Sequence, residues 1–178
     1  MEFLTNSDQL EFLQRQISVK KPSNDWSPLL YASYFGHTKI VKHILQILNH
    51  FRTIWEDDFE KYDVLEDNVL GTDNGLKAFH LAIIRGHTEV MKVLLDFDEG
   101  MTRTLVHANL ELEGIELAVV KGHLEAVKFL KQLLRNWEKN GLDIDKPFDG
   151  LDIEFLKSAA YISKTKIEIA RYLLSSKF

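Results

Sequence analysis

The chain has 178 residues and a formal net charge of −5, with 45% hydrophobic residues, 28% charged residues and no cysteine. This composition is typical of a folded domain and argues against a disordered chain. The negative charge disfavours nucleic acid and anionic membrane surfaces as partners, and the lack of cysteine excludes disulfides and thiol nucleophiles.

The first element predicted along the chain is a helix over Thr5–Ile17, because Leu10, Leu13 and Ile17 recur at helical spacing. We interpret residues 1–24 as a capping helix followed by a loop. Residues 25–55 then form a first helix pair. Its short helix is predicted over Ser27–Phe35, and its second helix runs from Thr38 as far as Trp55.

An acidic segment follows, with the sequence EDDFEKYDVLED. It carries seven carboxylates and one lysine, a net charge of −6, so the rest of the chain is close to neutral. We predict that residues 56–72 are an inserted, solvated loop that steers a basic partner towards the protein. The carboxylates of this steering loop are Glu56, Asp57, Asp58, Glu60, Asp63, Glu66 and Asp67.

Two further helix pairs and a final cap complete the chain. Residues 73–99 form the second pair, whose second helix is predicted over Thr88–Phe97, and residues 100–140 form the third. Thr102–Leu110 is rich in β-prone residues and is expected to be an extended connection. Residues 141–178 contain two weaker helical patterns, at Ile153–Ile162 and Thr165–Leu174, which we interpret as a degenerate C-terminal cap.

The three pairs share a turn in which glycine is followed by histidine. The turn glycines are Gly36, Gly86 and Gly122, and the histidines are His37, His87 and His123. Self-similarity with a period near 33 residues, here with insertions, is typical of stacked repeats. Since equivalent residues in such a stack are one repeat apart, we expect these histidines to tie down neighbouring backbone and not to share a metal ion.

With these turns in place, the chain resembles the ankyrin-repeat family. The family pattern T-P-L-H-x-A is matched by SPLLYA from Ser27 and by KAFHLA from Lys77, and more loosely by EGIELA from Glu113. The resemblance implies an all-α solenoid, a single domain of helix-turn-helix units with capping helices at both ends. It also implies a non-enzymatic protein that binds a partner protein or peptide without a cofactor or metal, with a monomer as the default.

In such a fold, the last two residues before each turn glycine face a concave groove. Here they are Tyr34, Phe35, Ile84, Arg85, Val120 and Lys121, which we call the ladder. Four of the six are apolar or aromatic, although one member of each pair could instead pack against the neighbouring unit. The finger loops add Trp26, Asn74, Leu76, Asn109 and Glu111 as candidate contacts.

Other interpretations remain open at this point. The chain could be a scaffolding or targeting module of a larger protein, or a microbial or viral effector that acts in the host cytoplasm. A calcium site in the acidic segment is disfavoured because the glycine and spacing of a calcium loop are missing. His43 and His50 have no third ligand nearby for zinc. We expect an intracellular, cytoplasmic protein with no membrane span.

Overall fold

The computed structural model describes residues 6–19, 26–71, 77–97, 114–139 and 164–175, and the structural statements below refer to these residues. They form an all-helical structure, with one isolated antiparallel bridge between Gly71 and Lys77. The helices are α1 (Asn6–Ser18), α2 (Pro28–Tyr34), α3 (Thr38–Ile54), α4 (Phe59–Leu70), α5 (Ala78–Arg85), α6 (Thr88–Phe97), α7 (Gly114–Lys121), α8 (Leu124–Lys139) and α9 (Lys164–Ser175).

The start of α2 shows how the local sequence sets a helix boundary. The Ser27 hydroxyl accepts a hydrogen bond from the backbone N–H of Leu30 at 3.3 Å, and Pro28 occupies the first turn. A serine cap satisfies a backbone donor that has no partner within the helix, and proline loses nothing at this position. At the start of α5 the Nδ1 atom of His80 accepts from the backbone N–H of Lys77 at 3.1 Å.

Three helix pairs lie next to one another in chain order. The short helix α2 contacts α5, which in turn contacts α7, and the longer helix α3 contacts α6, which contacts α8. Each pair therefore packs its short helix on the next short helix and its long helix on the next long helix. The predicted starts of the second helices at Thr38 and Thr88 coincide with the starts of α3 and α6, and the predicted end at Phe97 coincides with the end of α6.

The core runs continuously through these pairs. Leu29 and Leu48 of the first pair, Leu81 and Met91 of the second, and Val127 of the third are all fully buried. Small residues let the short helices approach closely, since Ala32, Ala82 and Ala118 are buried at equivalent positions. Burial of apolar surface contributes roughly 25 cal/mol per Å², so this continuous apolar core stabilises the stack.

The acidic segment differs from the predicted loop, because much of it is the helix α4. Asp58 caps this helix by accepting from the backbone N–H of Lys61 at 3.2 Å. Tyr62, Leu65 and Val69 are buried at helical spacing. The loop was predicted from the high count of carboxylates. The apolar residues between them have a spacing of three and four residues, which is sufficient for an amphipathic helix.

Helix α4 folds back along α3 and joins α1 beside the first pair. The Lys61 ammonium lies 4.2 Å from the ring centre of Trp55, and the Ser27 hydroxyl donates to the carbonyl of Val69. Helix α1 contacts both α2 and α4. The N-terminal layer on the first pair therefore consists of two helices, whereas the sequence predicted only the first of them.

Helix α9 packs on the other end of the array. It contacts α7 and α8, and it buries Ile169 and Leu173 completely. Its bounds agree with the helix predicted over Thr165–Leu174. The predictions for residues 102–110 and 153–162 lie outside the described residues.

Candidate protein-binding surface

The turns between paired helices place the ladder, and they depend on glycine. Gly36, Gly86 and Gly122 have φ values of 75°, 72° and 79°, in the left-handed region that side chains disfavour. A Cβ atom at Gly36 would lie 2.7 Å from the His87 ring, and one at Gly86 would lie 2.7 Å from the His123 ring. Each of these two glycines therefore leaves room for the histidine of the following pair.

The same histidines hydrogen-bond the preceding pair. The Nε2 atom of His87 lies 3.0 Å from the carbonyl oxygen of Tyr34, and Nε2 of His123 lies 2.8 Å from that of Ile84. The expectation that the turn histidines tie down neighbouring backbone is confirmed for these two. We call each arrangement of glycine, histidine and carbonyl a Gly–His lock. Each lock fixes a ladder residue to the next pair.

The ladder splits into half-buried and exposed positions. The first residue of each couple, Tyr34, Ile84 or Val120, is half-buried. The second residue, Phe35, Arg85 or Lys121, is exposed, and 55% of the Phe35 surface is accessible. The alternative that one member of each couple packs inward therefore applies to the first position, and the surface is presented by the second.

An aromatic cluster surrounds the first end of the ladder. The ring centres of Trp26 and Tyr34 are 5.2 Å apart, those of Tyr34 and Phe35 are 5.1 Å apart at nearly right angles, and those of Phe35 and His37 are 6.2 Å apart and stacked. Such rings provide a large contact area at a small loss of conformational entropy. Trp26, predicted as a finger-loop contact, thus lies beside Tyr34 of the ladder.

The ladder changes character towards its other end, where the exposed residues are cations. The Arg85 guanidinium lies 4.9 Å from the centre of the Tyr34 ring, which joins the first two pairs by a cation–π contact. No local sequence pattern predicts this contact, because the two residues are far apart in the chain. Lys121 is exposed at the equivalent position of the third pair.

The predicted acidic residues form a separate surface around α4. Glu56, Asp57, Asp58, Glu60, Asp63 and Asp67 are exposed, whereas Glu66 is half-buried and accepts a hydrogen bond from the Tyr62 hydroxyl at 2.8 Å. Asp67 also pairs with Lys77 at 3.1 Å. Two apolar side chains of α4 accompany the carboxylates, with 72% of Phe59 and 58% of Val64 exposed.

Four predicted contacts, Asn74, Leu76, Asn109 and Glu111, lie outside the described residues. His43 and His50 are exposed on α3. In the part of the chain that the structure describes, no group of three or more histidine or carboxylate side chains is arranged to hold a metal ion. Within the same residues, no helix is both long and apolar enough to cross a bilayer.

Comparison of the chain with protein-family models, curated proteins and solved structures found no match.

Proposed function

We propose that the chain is an ankyrin-repeat domain that binds another protein through the ladder and does not catalyse a reaction. The observation that carries this proposal is the exposure of Phe35, Arg85 and Lys121 at equivalent positions of three successive helix pairs. The fold does not require these side chains to be buried. A row of exposed residues held on packed helices is a surface whose shape persists without a ligand, which reduces the entropy lost on binding.

The aromatic cluster supplies the apolar part of this surface. Tryptophan, tyrosine and arginine are enriched at positions that dominate binding energy, and all three types lie together at Trp26, Tyr34 and Arg85. Phe35 extends the cluster into solvent. We therefore place the energetic centre of the interface at the junction of the first two pairs.

The test is capture of a partner from a cell extract by the wild type and by a Phe35→Ala/Arg85→Ala/Lys121→Ala variant. Since these side chains are exposed, the variant should fold normally, as checked by circular dichroism and melting temperature. A charged residue at Tyr34, Ile84 or Val120 would be less informative, because those positions are half-buried and a charge there would destabilise the fold.

A matched control removes one apolar and two basic side chains elsewhere, in an Ile54→Ala/Lys42→Ala/Lys92→Ala variant. These three residues are exposed on the long helices α3 and α6. The expected result is a protein captured by the wild type and the control and lost from the ladder variant, and then bound directly when purified. Equal capture by all three would show that the ladder is not the binding surface.

A further inference from the structure

The exposed residues of the ladder form an ordered series from aromatic to cationic. Phe35, Arg85 and Lys121 occupy the same position in successive pairs, so they are spaced one pair apart along the array. Among the described residues, neither Arg85 nor Lys121 forms an ion pair with a carboxylate. The two cations are therefore available to an acidic group from outside.

Arg85 is also restricted by a contact with a neighbouring ring. Its guanidinium carbon lies over the Tyr34 ring, 4.9 Å from the ring centre, and a guanidinium has five N–H groups, so it can contact a ring and still donate to a carboxylate. A planar guanidinium binds a carboxylate through two parallel hydrogen bonds. Because the cation–π contact already restricts the side chain, less entropy is lost when the carboxylate binds.

The spacing of the series restricts the shape of the ligand. Packed helices lie about 8–10 Å apart, and three residues of a polyproline II segment advance about 9 Å and return to the same face. Such segments commonly bind to grooves lined by aromatic side chains. An apolar residue on Phe35 would then place the third and sixth residues beyond it near Arg85 and Lys121.

We infer that the ladder binds an extended, acidic segment of a partner protein, with one apolar anchor and two carboxylates at successive intervals of three residues. This inference rests on the proposed function and names the chemistry of its partner. The anchor contacts the cluster of Tyr34, Phe35 and His37, and the carboxylates pair with Arg85 and Lys121. The exposed carboxylates of α4 have the same sign of charge as such a segment and repel it, so the attraction comes from Arg85 and Lys121.

The probe is a fluorescein-labelled peptide, GWPPEPPEG, whose binding is measured by fluorescence anisotropy. Its reverse, GEPPEPPWG, presents the same side chains with the opposite chain direction. A basic twin, GWPPKPPKG, has the same anchor and backbone preference with the charge inverted. We expect one of the two acidic peptides to bind, and the basic twin to bind at least about tenfold more weakly.

Charge reversal identifies the site. An Arg85→Glu/Lys121→Glu variant should lose about tenfold or more in affinity for the acidic peptide, because two attractions become repulsions. A Lys42→Glu/Lys92→Glu variant changes the net charge equally at exposed positions of α3 and α6, and it should bind within about twofold of the wild type. Melting temperatures of both variants verify that they are folded.

Two outcomes overturn the inference: neither acidic peptide binds, or both charge-reversed variants bind alike. Either result leaves the proposed function standing if capture of the natural partner is still lost from the Phe35→Ala/Arg85→Ala/Lys121→Ala variant. If capture is also independent of the ladder, the proposed function fails as well. The two experiments together therefore separate a wrong partner chemistry from a wrong binding surface.

Discussion

Two serines of the first helix pair are fully buried but have opposite hydrogen-bonding status. The Ser27 hydroxyl accepts from the N–H of Leu30 and donates to the carbonyl of Val69. The Ser33 hydroxyl has no hydrogen-bond partner among the described residues. A buried polar group without a partner costs about 1–3 kcal/mol, whereas a satisfied one is mildly stabilising. The same side chain therefore affects stability with opposite sign at the two positions.

The first prediction compares alanine at these two serines. We expect Ser27→Ala to lower the free energy of unfolding by about 1–2 kcal/mol, since a helix cap and a contact to α4 are lost. Ser33→Ala should leave it unchanged or raise it by up to about 1 kcal/mol. Urea unfolding of both variants measures the difference. A large loss of stability in Ser33→Ala would indicate that its hydroxyl has a partner.

The second prediction concerns a Gly–His lock. Gly86→Ala should destabilise the protein by about 2 kcal/mol or more, because the backbone is left-handed and the new Cβ atom meets the His123 ring. His123→Ala alone should cost about 1 kcal/mol for its hydrogen bond to Ile84. In the double variant the clash with the ring is removed and only the 3.2 Å approach to the Cβ atom of residue 123 remains, so the combined loss should be smaller than the sum. A double-mutant cycle by urea unfolding measures this coupling, and additive losses would contradict it.

At the scale of the element, α8 contains a lysine in an unfavourable place. Only 1% of the Lys131 surface is exposed, and its ammonium lies 5.6 Å from the ring centre of Tyr172 in α9. Burial, reinforced by the positive charge of Arg135, lowers the pKa of Lys131 below its usual value. The neighbouring Lys128 differs, since its hydrogen bond to Glu125 raises the pKa of its ammonium.

The third prediction follows from the sign of that shift. Between the lowered pKa of Lys131 and 10.5 the unfolded chain binds more protons than the folded one, so this group makes stability rise with pH. Lys131→Met should raise the free energy of unfolding by about 1 kcal/mol at pH 7, with a gain that shrinks as the pH approaches 10.5.

The control for this prediction is Lys128→Met. The raised pKa of Lys128 gives a favourable contribution that is present below 10.5 and lost as the pH rises through the folded-state value, so its removal should not stabilise the protein at pH 7. Urea unfolding at several pH values follows both variants. A loss of stability in Lys131→Met at pH 7 would mean that the contacts of the ammonium outweigh its burial.

Helix α4 shows how much of the structure the sequence could predict. The helix ends at Thr38, Thr88 and Phe97 were predictable because the Gly-His turns fix the phase of the adjacent apolar pattern. Helix α4 was missed because seven carboxylates outweighed three well-spaced apolar residues. The six ladder residues were named from the repeat pattern, but the cation–π contact of Arg85 with Tyr34 and the hydrogen bonds of the locks join residues 39 to 53 positions apart. No local pattern reports contacts of that range.

At the scale of the whole molecule, charge is unevenly distributed. The twelve residues from Glu56 to Asp67 carry a net −6, on carboxylates that lie just before α4 and along it, whereas the exposed second positions of the ladder are aromatic or cationic. The electrostatic fields of such charged surfaces change the rate at which charged partners associate with the protein, and salt weakens these fields.

The fourth prediction uses salt to identify which surface dominates the approach of a partner. If α4 steers a basic region of the natural partner, as the sequence predicts, the association rate should fall as ionic strength rises from about 0.01 to 0.15 M, where the Debye length shrinks from about 30 to 8 Å. An Asp57→Asn/Glu60→Gln/Asp63→Asn variant, altered only at exposed carboxylates, should reduce this dependence. Stopped-flow kinetics measures both, and a rate that does not respond to salt rules out steering.

The Gly–His locks also bear on how such a chain changes length by recombination. In each lock the glycine belongs to one helix pair and the histidine to the next. A Gly-His dipeptide between two locks therefore takes part in both, its histidine in the lock with the preceding pair and its glycine in the lock with the following pair. A crossover between the codons of two such dipeptides, for instance one that duplicates residues 87–122, restores Gly-His at the new junction. The added unit then arrives with a histidine for the glycine before it and a glycine for the histidine after it.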